Sequence, residues 1–350
     1  MKKAFAFFSV FLLLGMERLS ALGLKDRGVM YMEYSPDGKQ IVCANGDGTI
    51  SIWDMETQSK IKLFASHAGG ALSASYSPDG KYILTAGIDG FFRIWDAKTV
   101  SVLHSDVYAA FIPAGPPLIS YNHRGDRIIT PFLTMLRLWD SSGKNIIWDT
   151  EIPAPIYSIA ISHDDRLIAV GDHDQIVHLI DSGTGKIIRA IDTAKEYLDP
   201  VSRLVFSPDG KYLLTAIDYT ICLWDIDTGT LIYDLEPPTS FKFIGFSRDG
   251  RYITAVSQMG VYRWETGTGS YVHYLQTYPL HNFQEIAAVA ISPDETQIAF
   301  AYHYDHFPGL LVVDAKTGGR INALYDFNYK RHEFTEADMD RLYPDRINDH

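Results

Sequence analysis

The chain has 350 residues, 46% of them hydrophobic and 21% charged, with only two cysteines. A chain of that length buries roughly three quarters of its unfolded surface, so its core needs neither disulfides nor a structural metal. With 43 acids against 31 bases the net charge is −12 and no run of Lys or Arg occurs, which argues against nucleic acid or an anionic membrane surface as partner.

Residues 1–23 read as a secretory signal peptide. Lys2 and Lys3 form a cationic start, residues 4–14 a run that is apolar except for Ser9, and Ala21-Leu22-Gly23 a small-x-small cleavage site. The apolar run is shorter than the ~20 residues of a spanning helix, and no Cys near the site could carry a lipid. The mature chain is expected to begin near Leu24 and to be exported, to a periplasm or the medium, with no membrane insertion after cleavage.

From residue 29 onward one phrase recurs. The first two copies read YSPDGKQIVCANGDGTISIWD (residues 34–54) and YSPDGKYILTAGIDGFFRIWD (residues 76–96). The closing acid returns at Asp140, Asp181, Asp225, Glu265 and Asp314, at intervals of 42, 44, 41, 44, 40 and 49 residues from Asp54 onward. SPDG alone is only a good turn. Seven copies in register, at roughly 40 to 45 residues with a Trp-Asp signature, mark propeller blades.

Each copy supplies four short strand-like runs; in the second copy these are residues 72–76, 82–86, 91–95 and 100–104, the spacing of an antiparallel meander. The residue before each turn Ser or its equivalent is always bulky (Tyr34, Tyr76, Tyr121, Ile161, Phe206, Phe246, Ile291). The one before that is mostly small (Ser75, Ser120, Ala160, Gly245, Ala290). Alternate residues face opposite sides of a strand, so the two faces of one blade are expected to interlock with its neighbours. Cys43 and Cys222 fall in strands of distant copies and are expected to be buried and unbridged.

The repeats resemble the WD-repeat family over residues 29 to about 325, with Trp-Asp kept at Trp53-Asp54, Trp95-Asp96, Trp139-Asp140 and Trp224-Asp225. The resemblance implies an all-β fold, a seven-bladed β-propeller of four-stranded antiparallel blades, over residues 24–325. In the family a strand from the N-terminus usually completes the last blade. Here only about five residues separate the cleavage site from Val29, and residues 320–325 look like the seventh blade's own outer strand, so closure by packing alone is expected.

The irregular stretches are residues 106–117, 193–200 and 277–285, which lengthen links between blades, and residues 302–307 within the seventh copy. The resemblance places both connection types on one face of the disc, and long aromatic loops on a rigid ring are binding devices. Residues 326–350 form a polar tail in which Thr335 and Asp338 make a capping box for a short helix over residues 336–342.

Four residues of the second copy, His67, Thr85, Asp89 and Trp95, could be taken for a catalytic triad with a neighbour. The resemblance instead maps them onto a buried structural tetrad, with partial relics at Asp174 and at Thr215, Asp218 and Trp224. No GxSxG, GxxxxGK[ST] or CxxC motif is present, and His332-Glu333 lacks the second His of HExxH because Glu336 stands there. No cofactor is implied and no enzyme activity is expected. Weak metal candidates are His173 beside Asp172 and Asp174, and His303, Asp305 and His306.

The family's recognition positions carry over to Leu72, Tyr157 and Lys242, the second residues of first strands, and to His173 and Tyr219 beside the acidic turn. Phe132, Met259 and Tyr304 fall at the equivalent place. Tyr, Phe, Met and His suit an interface centre. The function expected is a non-catalytic protein–protein interaction platform. The alternative is a glycan or small-ligand binder with aromatics at the channel mouth. The sequence carries no signal for an oligomeric state.

Overall fold

The computed structural model describes residues 28–108, 119–194, 199–217, 220–235, 241–257, 260–276, 285–303, 309–318 and 320–325. These residues form seven four-stranded antiparallel sheets, each of four strands consecutive in the chain. Blades 1 to 7 span residues 29–65, 71–107, 120–151, 156–192, 203–235, 241–276 and 285–325.

Two side-chain devices make the hairpins. In the SPDG turn of blade 1, Ser35 Oγ donates to Asp37 Oδ1 (2.6 Å) and accepts from Gln40 N–H (2.9 Å), and Asp37 Oδ1 also accepts from Lys39 N–H (3.1 Å). Gly38 completes the turn at φ 72°, a conformation cheap only for glycine. The second device explains the repeated closing acid. Asp54 Oδ1 accepts from the N–H (2.7 Å) and hydroxyl (2.9 Å) of Thr57, and the same cap is formed by Asp96 with Thr99, Asp181 with Thr184, Asp225 with Thr228 and Asp314 with Thr317. The acid outlasts its Trp because the turn needs an acceptor.

In blade 2 the strands are Ala71–Tyr76, Tyr82–Gly87, Phe91–Asp96 and Val102–Val107. The first three lie within a residue of expectation. The fourth starts two residues late because Val100 sits in the turn at φ 52°.

Backbone bonds sort the connections onto two faces. On the upper face the links between blades meet the turns joining second to third strands, as in Ser66 N–H to Gly48 O (3.0 Å) and His173 N–H to Pro155 O (2.8 Å). On the lower face the SPDG turns meet the closing-acid turns, as in Met55 N–H to Lys39 O and Ala97 N–H to Lys81 O, both 2.9 Å.

The core is divided among the blade interfaces. Among the described residues there is one apolar cluster between each pair of neighbouring blades. The bulky residue before the turn inserts into the preceding blade: Tyr76 joins Val42 and Ile50 of blade 1, and Phe206 joins Ala169 and Leu179 of blade 4. Among the described residues the seventh interface closes the ring without strand exchange. There Met32, Tyr34, Cys43 and Trp53 of blade 1 pack on Ala288, Ala290, Ala301 and Val312 of blade 7. Cys43 and Cys222 are both buried and in no disulfide; burial pushes the Cys43 thiol up to about 12, so it packs as an apolar group.

Candidate binding faces and axial cavity

The recognition positions Leu72, Tyr157 and Lys242 share one backbone feature. Each is skipped by the ladder between first and second strands: the register jumps from Ala71 to Ser73, from Ile156 to Ser158 and from Phe241 to Phe243. They are therefore β-bulge residues, which re-aim a side chain at a sheet rim. Met30 and Ala287 are bulged at the same level in blades 1 and 7.

Leu72, Lys242, Met30 and Ala287 line an axial cavity of about 400 Å3, together with Tyr31, Glu33, Ser158, Arg203 and Phe243. Tyr157 instead leans on His173, ring centroids 5.7 Å apart at 56°. Beside them is the tip of blade 3, where Phe132 is 39% and Leu133 54% exposed. Leu133 holds φ 55° in a tight hairpin turn with no Gly, Asn or Asp, where φ > 0 is a strained choice. The turn is tied down by Ile156 N–H to Leu133 O (2.9 Å) and Ile152 N–H to Thr134 O (2.7 Å). Leu133 escaped the sequence reading; its signal was a hairpin turn lacking turn residues. Tyr219, Met259, Tyr304, Asp305 and His306 lie outside the described residues. So do most of residues 106–117 and 277–285, the leader, and all but the backbone start of residues 302–307. His303 ends the second strand of blade 7, paired with Glu285.

The metal candidates of blade 4 do not converge. Asp172 is buried and accepts from Asp174 N–H (3.0 Å) and Ile176 N–H (2.9 Å), with its other oxygen 2.8 Å from His178 Nε2. His173 and Asp174 face solvent, 3.2 Å apart. The relic of the tetrad in this blade is therefore Asp172 with His178, and not Asp174: the turn projects Asp174 outward, and His178 fills the place that Arg93 holds in blade 2.

In blade 2 the four residues form one buried network. His67 Nδ1 lies 2.8 Å from Asp89 Oδ1, His67 Nε2 2.8 Å from Thr85 Oγ1, and Trp95 Nε1–H donates to Thr85 Oγ1 at 2.9 Å. Desolvation holds the His67 imidazolium below its usual range, with Asp89 opposing. A neutral ring protonated on Nδ1 donates to Asp89 and accepts the Thr85 hydroxyl, with Arg93 Nη1 also 2.7 Å from Nδ1. A fifth member was not expected. Arg93, 0% exposed, donates from Nη1 to Asp89 Oδ2 at 2.9 Å. Gly87 completes the packing, since a Cβ there would lie 2.2 Å from His67 Cγ. His67, Thr85, Asp89, Arg93 and Trp95 are all buried, so the network joins the strands and turn of the second blade from within.

The lower face holds staples invisible to repeat matching. In blades 4 and 7 the Gly of SPDG is replaced by Asp165 (φ 61°) and Glu295 (φ 59°). The turn of the preceding blade has lost its Pro in both cases, to His123 and Arg248, and so has an N–H to offer. Asp165 accepts from His123 N–H (2.8 Å), Arg124 N–H (3.0 Å) and Arg124 Nε (3.1 Å), and Glu295 accepts from Arg248 N–H. Burial works against the Asp165 charge, and these donors more than offset it, holding the carboxyl below its usual range. His123 also stacks on His163, centroids 4.7 Å apart.

The described residues thus form a seven-bladed β-propeller of interlocked four-stranded blades, and its Trp-Asp repeats are similar to those of WD-repeat proteins. Four stretches match the family described as WD domain, G-beta repeat: residues 22–54, 58–96, 150–181 and 191–225. Three curated relatives are similar over part of the chain. The U3 small nucleolar RNA-associated protein 21 homolog of Schizosaccharomyces pombe is 29% identical over 113 residues, 32% of this chain and 12% of that protein. U3 small nucleolar RNA-associated protein 15 of the same organism is 36% identical over 82 residues, 23% of this chain and 16% of that one. Small ribosomal subunit protein RACK1 of Medicago sativa is 28% identical over 81 residues, 23% of this chain and 24% of the relative. The chain thus spans a quarter or less of each relative's length.

Proposed function

We propose that this propeller is an exported, non-catalytic platform that docks a protein partner on its upper face, beside blades 3 and 4. The observation that carries the reading is the exposed Phe132 and Leu133, on a turn whose Leu133 O accepts from Ile156 N–H next to the Tyr157–His173 pair. These residues are apolar and aromatic, they stand on strained or bulged backbone, and they are held in place by the ring. The relatives' names attach them to a small nucleolar RNA and to the small ribosomal subunit; for this chain, a net charge of −12 favours a protein surface over RNA. Export rests on Lys2, Lys3, the apolar run and the small residues at Ala21 and Gly23.

The test is crosslinked capture from fractionated source cells, with the recovered bait sequenced from its N-terminus. One dominant partner in the envelope fraction, with a bait starting within two or three residues of Leu24, is the expected result. An intact N-terminus on cytoplasmic bait would remove the export reading, and capture of no dominant protein from any fraction would remove the platform reading.

A further inference from the structure

We propose that the axial cavity is a binding site for a carboxylate, with Arg203 as its anchoring residue and Lys242 as a second cation at the rim. Arg203 opens the innermost strand of blade 5, opposite Ala216. The same register position holds Ser73 opposite Ala86, Ser158 opposite Gly171 and Ala288 opposite Ala301 in blades 2, 4 and 7. Where those blades present a small side chain, blade 5 sends a guanidinium into the cavity wall.

That guanidinium makes no ion pair or hydrogen bond with any described residue. Burial lowers it to about 10, and only the Tyr31 hydroxyl works in the opposite sense. Arg203 is partly buried and opens onto the cavity, and a cation held among mostly apolar walls without a counter-ion favours an incoming anion. The nearest candidate within the cavity, Glu33, is otherwise engaged: its two oxygens accept from the Tyr31 hydroxyl and from Tyr76 N–H, each at 3.2 Å.

The walls narrow the ligand. Met30, Leu72, Ile159, Val205 and Phe243 are apolar, and the volume of about 400 Å3 falls in the range of small-ligand pockets. A planar fork over apolar walls suits a carboxylate on a short aliphatic stem. Two sources offer that chemistry, a free short dicarboxylate or the acidic end of a peptide. The site is locally cationic inside a molecule of net charge −12, so it selects for an anion that the outer surface does not attract.

The experiment is calorimetric titration of the purified mature chain at pH 6 and low salt with three probes: glutarate, its neutral diamide glutaramide, and tetraglutamate. Saturable binding of glutarate, with no binding of glutaramide, is expected if the source is a free acid. Binding of tetraglutamate alone marks a peptide source. Arg203→Met should weaken the bound probe at least tenfold and Arg203→Lys should weaken it less, with folding checked by circular dichroism. Binding of neither acid, equal binding of the diamide, or unchanged affinity in folded Arg203→Met overturns the proposal. Should Arg203→Met fail to fold, the acid-against-diamide contrast on the unaltered chain and Arg203→Lys decide it. The site stands apart from the platform reading: glutarate binding with no captured protein keeps the one and removes the other.

Discussion

Asp89→Ala is expected to destabilise the propeller by about 3–5 kcal/mol, the cost of removing one partner from a buried ion pair. The substitution removes the Asp89 Oδ2 that Arg93 Nη1 donates to at 0% exposure, and takes the acceptor from His67 Nδ1–H and from Ala68 N–H. A neutral tetrad would predict only the ~1–3 kcal/mol of an unsatisfied donor; the buried Arg93 raises the figure. Asp174→Ala is the control, since Asp174 occupies the equivalent turn position in blade 4 but faces solvent, and should change stability by less than ~0.5 kcal/mol. Thermal midpoints of the two variants check this directly. An Asp89→Ala protein of unaltered midpoint that nonetheless lost partner binding would make the network a functional site instead.

Glu33→Gln is expected to leave stability at pH 4.5 nearly unchanged and to raise it at pH 8. Burial pushes the Glu33 carboxyl from 4.5 up to about 7, against the hydrogen bonds from Tyr76 N–H and the Tyr31 hydroxyl. The folded state therefore holds a proton that the unfolded chain releases. That contribution is complete below pH 4.5, declines as pH rises, and is gone once the pH passes about 7. At ~1.4 kcal/mol per pKa unit the loss amounts to about 3 kcal/mol. Gln cannot ionise, so the difference in thermal midpoint between variant and parent should open across that window and stay constant above it. Arg203 and Lys242 line the same cavity, but neither is among the causes of the Glu33 shift, which burial dominates. Parallel midpoint curves from pH 4.5 to 8 would contradict the placement of Glu33.

The repeat was legible because its signals are local. SPDG turns and closing acids satisfy their own backbone within a few residues, so each copy announces its blade without help from the rest of the ring. What escaped depends on partners in another blade or strand. Asp165 and Glu295 read as lost glycines, and only the neighbouring turn, with its Pro replaced by His123 or Arg248, shows why an acid belongs there. Arg93 sits where alternation puts a core side chain, and a charge is rarely placed there; its justification, Asp89, is four residues away across a turn. The bulges at Leu72, Tyr157 and Lys242 were reached through family resemblance, with no backbone reason visible in the residues. Arg203 and Glu33 could have been noticed, being charges in the innermost strands of otherwise apolar blades. Val100 and Asp174 were misplaced for a smaller reason, since turn geometry shifts a strand start or a side-chain direction by one or two positions.

The central claim, that recognition belongs to the upper face, is tested most directly by the affinity of the captured partner for alanine variants of the two faces. Phe132→Ala and Tyr157→Ala probe the upper one, joined by Tyr219→Ala and Tyr304→Ala at positions that the family resemblance assigns to recognition; Lys39→Ala and Lys211→Ala probe the SPDG turns of the lower one. At least one upper-face variant should lose more than ~1 kcal/mol of binding, because interface energy concentrates in a few aromatic anchors, while both lysine variants bind as the parent does. Weakening by Lys39→Ala or Lys211→Ala with every upper-face variant silent would contradict the account and move the interaction to the lower face.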